Sequence, residues 1–249
     1  MIYQYDGSIE GLFSGFYDAF IRKEKPEMFQ NTHKNQESLL FSDLFQVKNE
    51  PRKYNQVIKW FNQIHKKAVY SIFACFYSEY KNIEKDMFEY FYLGLNQRHK
   101  LKDYLKNEHL YRFYDISRKV RREIHQYKGF IRFEEVKKNF YYAPIDSRYN
   151  IISFLAFYFA KKYSDKNWVI HDIKRNNAAY FDLENIKINK IKKDSFLGLF
   201  KRKLKNNDQN YKKLWKVFYD EICIEERRNM KLHTQLLPKK FWPYLIEKQ

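Results

Sequence analysis

The hydrophobic pattern of this chain changes its period near residue 130, after a long helical region, and this change limits the folds open to it. From about Asn55 to Lys128, apolar residues recur three and four positions apart, which is typical of amphipathic helices. From Phe130 to Val136, apolar and polar residues alternate, which indicates a strand. A chain that passes from helices to strands in this order is expected to fold as an α+β protein.

After the helical middle region, we expect a small, mostly antiparallel sheet unit of order β-β-α-β-β and a closing C-terminal helix. The helix inside this unit is so apolar that it should be largely buried. Gly129 is placed to end the preceding helix, and Pro144 to stop the second strand. The expected segments are strands at 130–136, 140–145, 168–173 and 178–183, an optional further strand near 186–191, a helix at 151–163, a basic connector at 192–210 and a last helix from 211 to before Pro238.

The N-terminal region predicts a strand, a turn and a helix. Ile2–Tyr5 is the strand, Asp6 and Gly7 make the turn, and Ser8 caps a helix that carries apolar residues on one face. A polar loop is expected from residue 23 to 36, and a second strand within residues 39–47.

Composition supports an ordered chain with long regular elements. Aromatic residues make up 20% of the sequence, whereas there are only 6 Gly and 5 Pro. Disordered chains lack the apolar surface that offsets the entropy of ordering, so disorder is excluded. We expect a single compact domain over residues 1–249, with a mainly helical sub-region 1–129 and a sub-region 130–249 that holds the sheet unit and the closing helix.

No signature of membrane insertion, secretion, metal or cofactor is present. The N-terminus lacks the basic and apolar regions of a signal peptide, and the most apolar run, 151–160, is too short to span a bilayer. Cys75 and Cys223 lack zinc spacing and suit reduced core positions. The sequence has no glycine-rich phosphate loop, HExxH motif or serine elbow. We therefore expect a cytoplasmic protein without metal or cofactor.

The net charge of +18 points to a polyanionic partner. Lys and Arg gain free energy when they displace counterions from a phosphate backbone. The alternative is a compositional bias of an AT-rich genome, since the chain is also rich in Asn, Ile, Tyr and Phe.

The helix before Gly129 carries a row of basic residues. Its apolar stripe is Leu110, Phe113, Ile116, Val120 and Ile124. At 100° per residue, a row of basic side chains falls on the other side, and guanidinium groups one turn apart match a phosphate backbone. A solvated helix face is the alternative. The candidate nucleic-acid-binding residues are Arg118, Arg121, Arg122, His125 and Lys128.

The last helix interrupts its own apolar pattern. Its stripe of Leu214, Trp215, Phe218 and Ile222 continues with Glu226 and Asn229. A carboxylate on a core-facing side needs a partner or a raised pKa. Glu226 either forms a buried ion pair or lines a cleft as a catalytic candidate. The associated buried polar candidates are Asn229, Arg227 and Arg228.

His171 and Asp172 are further catalytic candidates, because they end an expected strand and His is a frequent acid–base catalyst. Neighbouring strand residues point to opposite faces, so these two cannot form a dyad with each other.

Six short segments resemble one family, the uncharacterised bacterial "probable DNA metabolism protein" family. They are YDGS at 5–8, KGFIRF at 128–133, YYAPI at 141–145, WVIHD at 168–172, EERRN at 225–229 and PKKFW at 238–242. The resemblance runs from residue 3 to about 246. It implies an association with a putative DNA-modification radical-SAM protein, and some members are fused to a uracil-DNA-glycosylase-like domain. It implies no catalytic residues.

Three functions follow as hypotheses. The first is an accessory nucleic-acid-binding protein of a DNA repair or modification system, partnered by a radical-SAM protein. The second is a nucleic-acid hydrolase, a nuclease or glycosylase-like enzyme, that uses carboxylate and His chemistry. The third is a protein-interaction module that does not bind nucleic acid.

Overall fold

The computed structural model describes residues 1–33, 43–191, 217 and 229–245. Contacts divide the chain into two compact units, Met1–Arg122 and Glu123–Gln249, and the division falls within one long helix. The predicted sub-regions, 1–129 and 130–249, meet near the C-terminal end of the same helix. The single compact domain over residues 1–249 stays a prediction.

A parallel sheet opens the first unit. Its strands are β1 Ile2–Tyr5, β2 Met28–Asn31 and β3 Leu44–Gln46, in the order β2-β1-β3. The prediction of β1 is confirmed, and β3 lies within the segment where a second strand is expected. The prediction of a polar loop over residues 23–36 is wrong, because β2 lies inside it. Only two of the four residues in β2 are apolar, and the strand is held by its parallel pairing with β1.

Helix α1, Ile9–Ile21, follows β1 through the predicted turn. The Ser8 hydroxyl accepts a hydrogen bond from the Gly11 amide at 2.9 Å, so Ser8 is the N-cap that the sequence predicts. Gly7 has a φ of 79°, and a Cβ there would come within 2.6 Å of the Asn31 side chain. The turn therefore requires glycine.

Aromatic residues fill the core of the first unit. Phe13, Phe16, Phe61 and Phe91 are fully buried, and their rings make successive contacts with centroids 5.1 to 5.9 Å apart. The helical segments that follow α1 in the chain are α2 Pro51–Ile64, α3 Ala68–Phe76, α4 Ile83–Asn96, a 3₁₀ segment Arg98–Lys106 and α5 Glu108–Phe130. Phe13 and Phe16 lie on α1, Phe61 lies on α2 and Phe91 lies on α4.

The end of α5 differs from the prediction. Gly129 lies inside the helix, and the Ile131 amide still donates to the Tyr127 carbonyl at 3.0 Å. Gly129 does not have a positive φ, so it does not act as a left-handed C-cap. The strand expected from Phe130 begins only at Glu134. The predicted strand at 130–136 is confirmed for its second half, in β4, but not for its first residues, because helical hydrogen bonds extend across them.

The described part of the second unit contains a five-stranded sheet. The order is β4-β5-β6-β7-β8, and only β5 and β6 are parallel. The sheet is therefore mostly antiparallel, as predicted, and the optional last strand is present. The strands are β4 Glu134–Lys137, β5 Phe140–Ile145, β6 Asn167–Asp172, β7 Asn177–Phe181 and β8 Ile186–Lys190.

Pro144 lies inside β5 instead of stopping it. On one side it pairs with His171 of β6, but the pairing with β4 ends at Tyr142. Because β4 is short, it does not reach Pro144, so no described strand needs an N–H from this residue on that side. A sheet tolerates proline at such an unpaired position.

Helix α6, Ile152–Lys162, connects the two parallel strands. It is buried on one face through Ile152, Leu155, Ala156 and Phe159, whereas Phe157 is 64% exposed. The prediction of a largely buried helix is confirmed for one face only.

The C-terminal region contains helix α7, Met230–Leu236, and a 3₁₀ segment, Lys239–Tyr244, whose Phe241 is buried. The end of the last helix before Pro238 is confirmed. The predicted connector at 192–210 and the start of the helix near residue 211 lie outside the described residues.

The mixed helix and sheet content confirms the α+β class. Within the residues described, no helix is long and apolar enough to cross a membrane.

Candidate nucleic-acid interface

The basic row of α5 is exposed at most of its positions. The side chains of Arg118, Arg121, Arg122 and His125 are exposed, and that of Lys128 is half-buried. The predicted apolar stripe on the same helix is buried, from Leu110 to Ile124. Arg118, Arg121 and Arg122 belong to the first unit, and His125 and Lys128 to the second.

Two of these arginines have weak surface contacts. A nitrogen of Arg118 donates to Asp115 at 2.9 Å, and Lys119 pairs with the same carboxylate at 2.6 Å. These two bases hold the pKa of Asp115 below its ordinary value. The Arg121 guanidinium lies 5.9 Å from the centroid of the Tyr70 ring. Exposed contacts of this kind contribute little stability, so the arginines can exchange them for a ligand.

Arg118 and Arg121 line the wall of a cavity of about 670 Å³ in the first unit, which we call the basic groove. It lies between the end of α2, α3, α4, the 3₁₀ segment and α5. Its charged lining is Lys67, Lys102, Asp115, Arg118 and Arg121, and its apolar and aromatic lining includes Tyr90, Leu101, Leu105, Tyr111 and Tyr114.

The groove joins positive charge to exposed apolar surface. Four cations face one carboxylate, Asp115, which already pairs with two bases. Leu105 is 70% exposed and Tyr111 is 47% exposed. Cations with aromatic rings along one cavity suit a flexible polyanion whose planar groups can stack.

A second polar cluster in the first unit centres on the fully buried Asp86 of α4. One carboxylate oxygen lies 2.7 Å from Nδ1 of His109, and the other lies 3.3 Å from Nε of Arg112. Burial raises the pKa of Asp86, and the two basic partners oppose this shift. All three residues line a cavity of about 190 Å³. An imidazole oriented through Nδ1 keeps Nε2 for proton transfer.

None of the three residues of this cluster is among those predicted from the sequence. Asp86 and His109 are on different helices, so no fixed spacing connects them. The available signal is that Asp86 shares a helical face with Ile83, Met87 and Tyr90, which are buried.

The candidate His171 is 2% exposed on β6 in the second unit. Its Nδ1 lies 2.9 Å from the Tyr142 hydroxyl, and Nε2 has no hydrogen-bond partner among the residues described. Burial raises the pKa of Tyr142 to about 12, so this hydroxyl keeps its proton. Burial also lowers the pKa of His171, against the attraction of Asp172, which favours the neutral imidazole.

The candidate Asp172 is fully buried and supports the fold. It pairs with Nη1 of Arg175 at 3.0 Å, accepts the Arg175 amide at 3.2 Å and lies 3.4 Å from the Ser147 hydroxyl. The structure thus brings Asp172 and His171 into different contacts, in agreement with the expectation that they form no dyad. These contacts use both carboxylate oxygens of Asp172.

Glu123, on α5, is a buried carboxylate that is not among the residues predicted from the sequence. It accepts the amides of Arg148 at 3.2 Å and Tyr149 at 3.0 Å, and it pairs with Lys240. Position 123 shares the apolar stripe of α5 with Val120 and Ile116. This break in the stripe is the same signal that singles out Glu226.

Glu226, Arg227 and Arg228 lie outside the described residues. Asn229 is exposed, and its side-chain oxygen accepts a hydrogen bond from the Leu232 amide at 3.0 Å. The prediction that Asn229 is buried is wrong because this residue caps α7. Asn229 precedes α7 and is not itself helical, so a helical spacing counted from Leu214 does not predict where its side chain lies.

Across the described ranges, no three His, Cys, Asp or Glu side chains come together to hold a metal ion. Cys75 is free and buried, and burial raises the pKa of its thiol. Cys223 lies outside those ranges.

Fold and sites define a mixed α+β protein with a basic groove in one unit and a helix-covered sheet in the other. Residues 81–247 match the family described as a domain of unknown function, DUF4130. The match covers more than half of the chain, so the protein belongs to this family, and the predicted membership of an uncharacterised family is confirmed. No curated protein matches the chain.

We expect His171 to make stability depend on pH. A histidine whose pKa is lower when folded binds fewer protons in the folded state, so its stabilising effect is complete above the unfolded pKa of about 6.5 and is lost as pH falls below it. The loss is at most about 1.4 kcal/mol per pH unit for one proton. The free energy of unfolding, measured with urea from pH 8 to 5, should fall less steeply in His171→Gln. The exposed His125→Gln is the control, and an equal change of slope in both variants would contradict this role.

Asp172→Asn should destabilise the second unit by about 3 kcal/mol, because it leaves the guanidinium of Arg175, which is 11% exposed, without its carboxylate. Urea unfolding monitored by circular dichroism measures this change. Asp165→Asn removes the same charge from an exposed position and should have little effect. If both variants unfold at the same urea concentration, the ion pair does not stabilise the fold.

Proposed function

We propose that the protein binds nucleic acid and that the basic groove holds a single strand. The observation that carries this proposal is that Lys67, Lys102, Arg118 and Arg121 line one cavity together with exposed aromatic and aliphatic side chains. Neither feature alone is specific, since surface cations are common and single exposed apolar residues are normal.

The charge of the whole chain supports the same partner. Lys and Arg number 48 against 30 Asp and Glu. A surplus of this size raises the local concentration of a polyanion and speeds its association. In the groove, release of counterions from the phosphates would supply most of the binding free energy.

The exposed rings favour a single strand over a duplex. Tyr111 lines the groove and is 47% exposed, and Tyr70, beside Arg121, is 38% exposed. Bases can stack on such rings only when they are not already paired and stacked in a double helix. We therefore expect preference for single-stranded DNA or RNA over duplex of equal length.

The biological setting proposed is DNA repair or modification, in which the protein acts as an accessory to a radical-SAM partner. The support is the resemblance of the six segments, among them KGFIRF at 128–133 and WVIHD at 168–172. The groove is compatible with an accessory role, because it offers binding groups without needing a reactive one.

The first test of this function is the salt dependence of binding. Fluorescence anisotropy with a labelled oligonucleotide should show binding at about 50 mM salt. If each of the four groove cations contacts one phosphate, the slope of log affinity against log salt should be about −3 on a single strand, at about −0.7 per phosphate. Absence of binding at this salt concentration would favour the protein-interaction module.

The second step of the same test locates the site. Arg118→Ala combined with Arg121→Ala should weaken binding about tenfold and make the salt slope shallower by about 1.4, at about 0.7 for each lost phosphate contact. Arg52→Ala with Lys59→Ala removes equal charge from exposed positions of the first unit that do not line the groove. Equal losses in the two double variants would show that net charge, and not the groove, determines affinity.

Hydrolysis of nucleic acid is a second candidate function, and the Asp86–His109 pair favours it. A buried carboxylate that orients an imidazole at a cavity is an arrangement used for general base catalysis, and Arg112 beside it can hold a phosphate. The same contacts would also serve as an ion pair between α4 and α5.

Turnover of an end-labelled oligonucleotide distinguishes these roles. If the pair is catalytic, His109→Asn should lower the rate at least about a hundredfold, and His125→Asn should not. A protein that binds the oligonucleotide but never cleaves it, across a series of divalent cations, would eliminate the hydrolase and leave the binding function intact.

A further inference from the structure

The second unit contains a cavity of about 290 Å³ that the proposed function does not use. It lies where the connector after α5, the first residues of β5 and β6, and the segment after α6 meet. We call it the aromatic pocket, and its principal lining is Arg132, Phe133, Tyr141, Tyr163, Lys166 and Trp168.

Four of the seven residues that line the pocket are aromatic. The Phe133 ring lies edge-on to that of Tyr163, with centroids 5.5 Å apart, and to that of Trp168 at 6.0 Å. Trp168 is buried, but Phe133, Tyr141 and Tyr163 are only half-buried. Half-buried rings around a cavity have unfilled contact surface, which a planar apolar group of matching size can cover.

Two cations stand beside these rings. The ammonium of Lys166 lies 4.9 Å from the centroid of the Tyr141 ring. The guanidinium of Arg132 donates to the carbonyls of Gly129 at 3.1 Å and Ile131 at 3.3 Å, which holds it near the pocket. The described lining contains no acidic side chain.

This combination restricts the class of ligand. A methylated ammonium group would suit an aromatic cage, but Arg132 and Lys166 would repel it. A purely aliphatic ligand would cover the charged ends of Arg132 and Lys166 with apolar atoms, which costs free energy. A planar aromatic group that carries an anion satisfies the rings and the cations together.

We propose that the aromatic pocket binds a nucleoside monophosphate, with its base among the rings and its phosphate at Lys166 and Arg132. The volume of about 290 Å³ is at the lower end for ligand sites, so it suits one nucleotide and not several. Arginine and lysine are the usual protein partners of phosphate groups. The bound unit is either a free nucleotide or one unpaired nucleotide of a strand.

This inference does not rest on the groove, because the groove and the pocket lie in different units and share no lining residue. The failure of either one leaves the other testable.

Isothermal titration of the full chain with AMP, GMP, CMP and UMP tests the proposal. At least one should bind with a dissociation constant below about 1 mM. Adenosine and inorganic phosphate, as the separate halves of AMP, should each bind at least tenfold more weakly than AMP if AMP is that nucleotide, and the matching nucleoside replaces adenosine otherwise. No binding of any of the four at millimolar concentration would overturn the proposal.

Lys166→Met and Tyr141→Leu should each weaken nucleotide binding at least fivefold. The control is Lys161→Met, which removes an exposed charge from α6 outside the pocket and should bind as the unaltered protein does. Circular dichroism checks folding, and Lys166→Met decides the outcome if Tyr141→Leu does not fold. A loss confined to the Arg118→Ala, Arg121→Ala protein, or an equal loss in Lys161→Met, would place the nucleotide elsewhere and overturn the proposal.

Discussion

The second unit depends on satisfying the backbone of the loop that leads from β5 into α6. Ser147 and Tyr149 in this loop are buried, so its amides and carbonyls cannot all reach water. Glu123 accepts two of the amides, and Arg175 donates to the carbonyls of Ser147 at 3.1 Å and Arg148 at 2.8 Å. A buried acid, Glu123, therefore binds amides of the loop, and a half-buried base, Arg175, binds its carbonyls.

Each of these two side chains then needs a counter-charge of its own. Asp172 neutralises Arg175, and Lys240 neutralises Glu123. Asp172, a catalytic candidate because it ends a strand, therefore stabilises the crossover between the parallel strands β5 and β6. His171, one residue earlier, points to the other face of the sheet, where Tyr142 is its described partner. Proximity in sequence gives these neighbours different functions because a strand alternates its faces.

The sequence predicts elements whose signal is periodic and local. The helix α5, the Ser8 cap and the strands β6 and β7 follow from spacing within a few residues, and all of them are present. It does not predict β2 or the end of α5 at Phe130, since pairing with β1 and continued helical hydrogen bonding decide them. No fixed spacing connects partners that are far apart in the chain, such as Asp86 and His109, so a local pattern does not predict them.

A charged residue that interrupts an apolar stripe can nevertheless be recognised in the sequence. Asp86 on α4 and Glu123 on α5 both interrupt a buried helical face, and each has a basic partner within its own unit. Such a carboxylate is retained because the cost of desolvating it is offset by a paired cation and by hydrogen bonds. The three described acids that are buried, Asp86, Glu123 and Asp172, each pair with a base in this way. The positive sign of the groove and of the aromatic pocket follows from their own linings, since four cations accompany one carboxylate in the groove and two cations accompany no acid in the pocket.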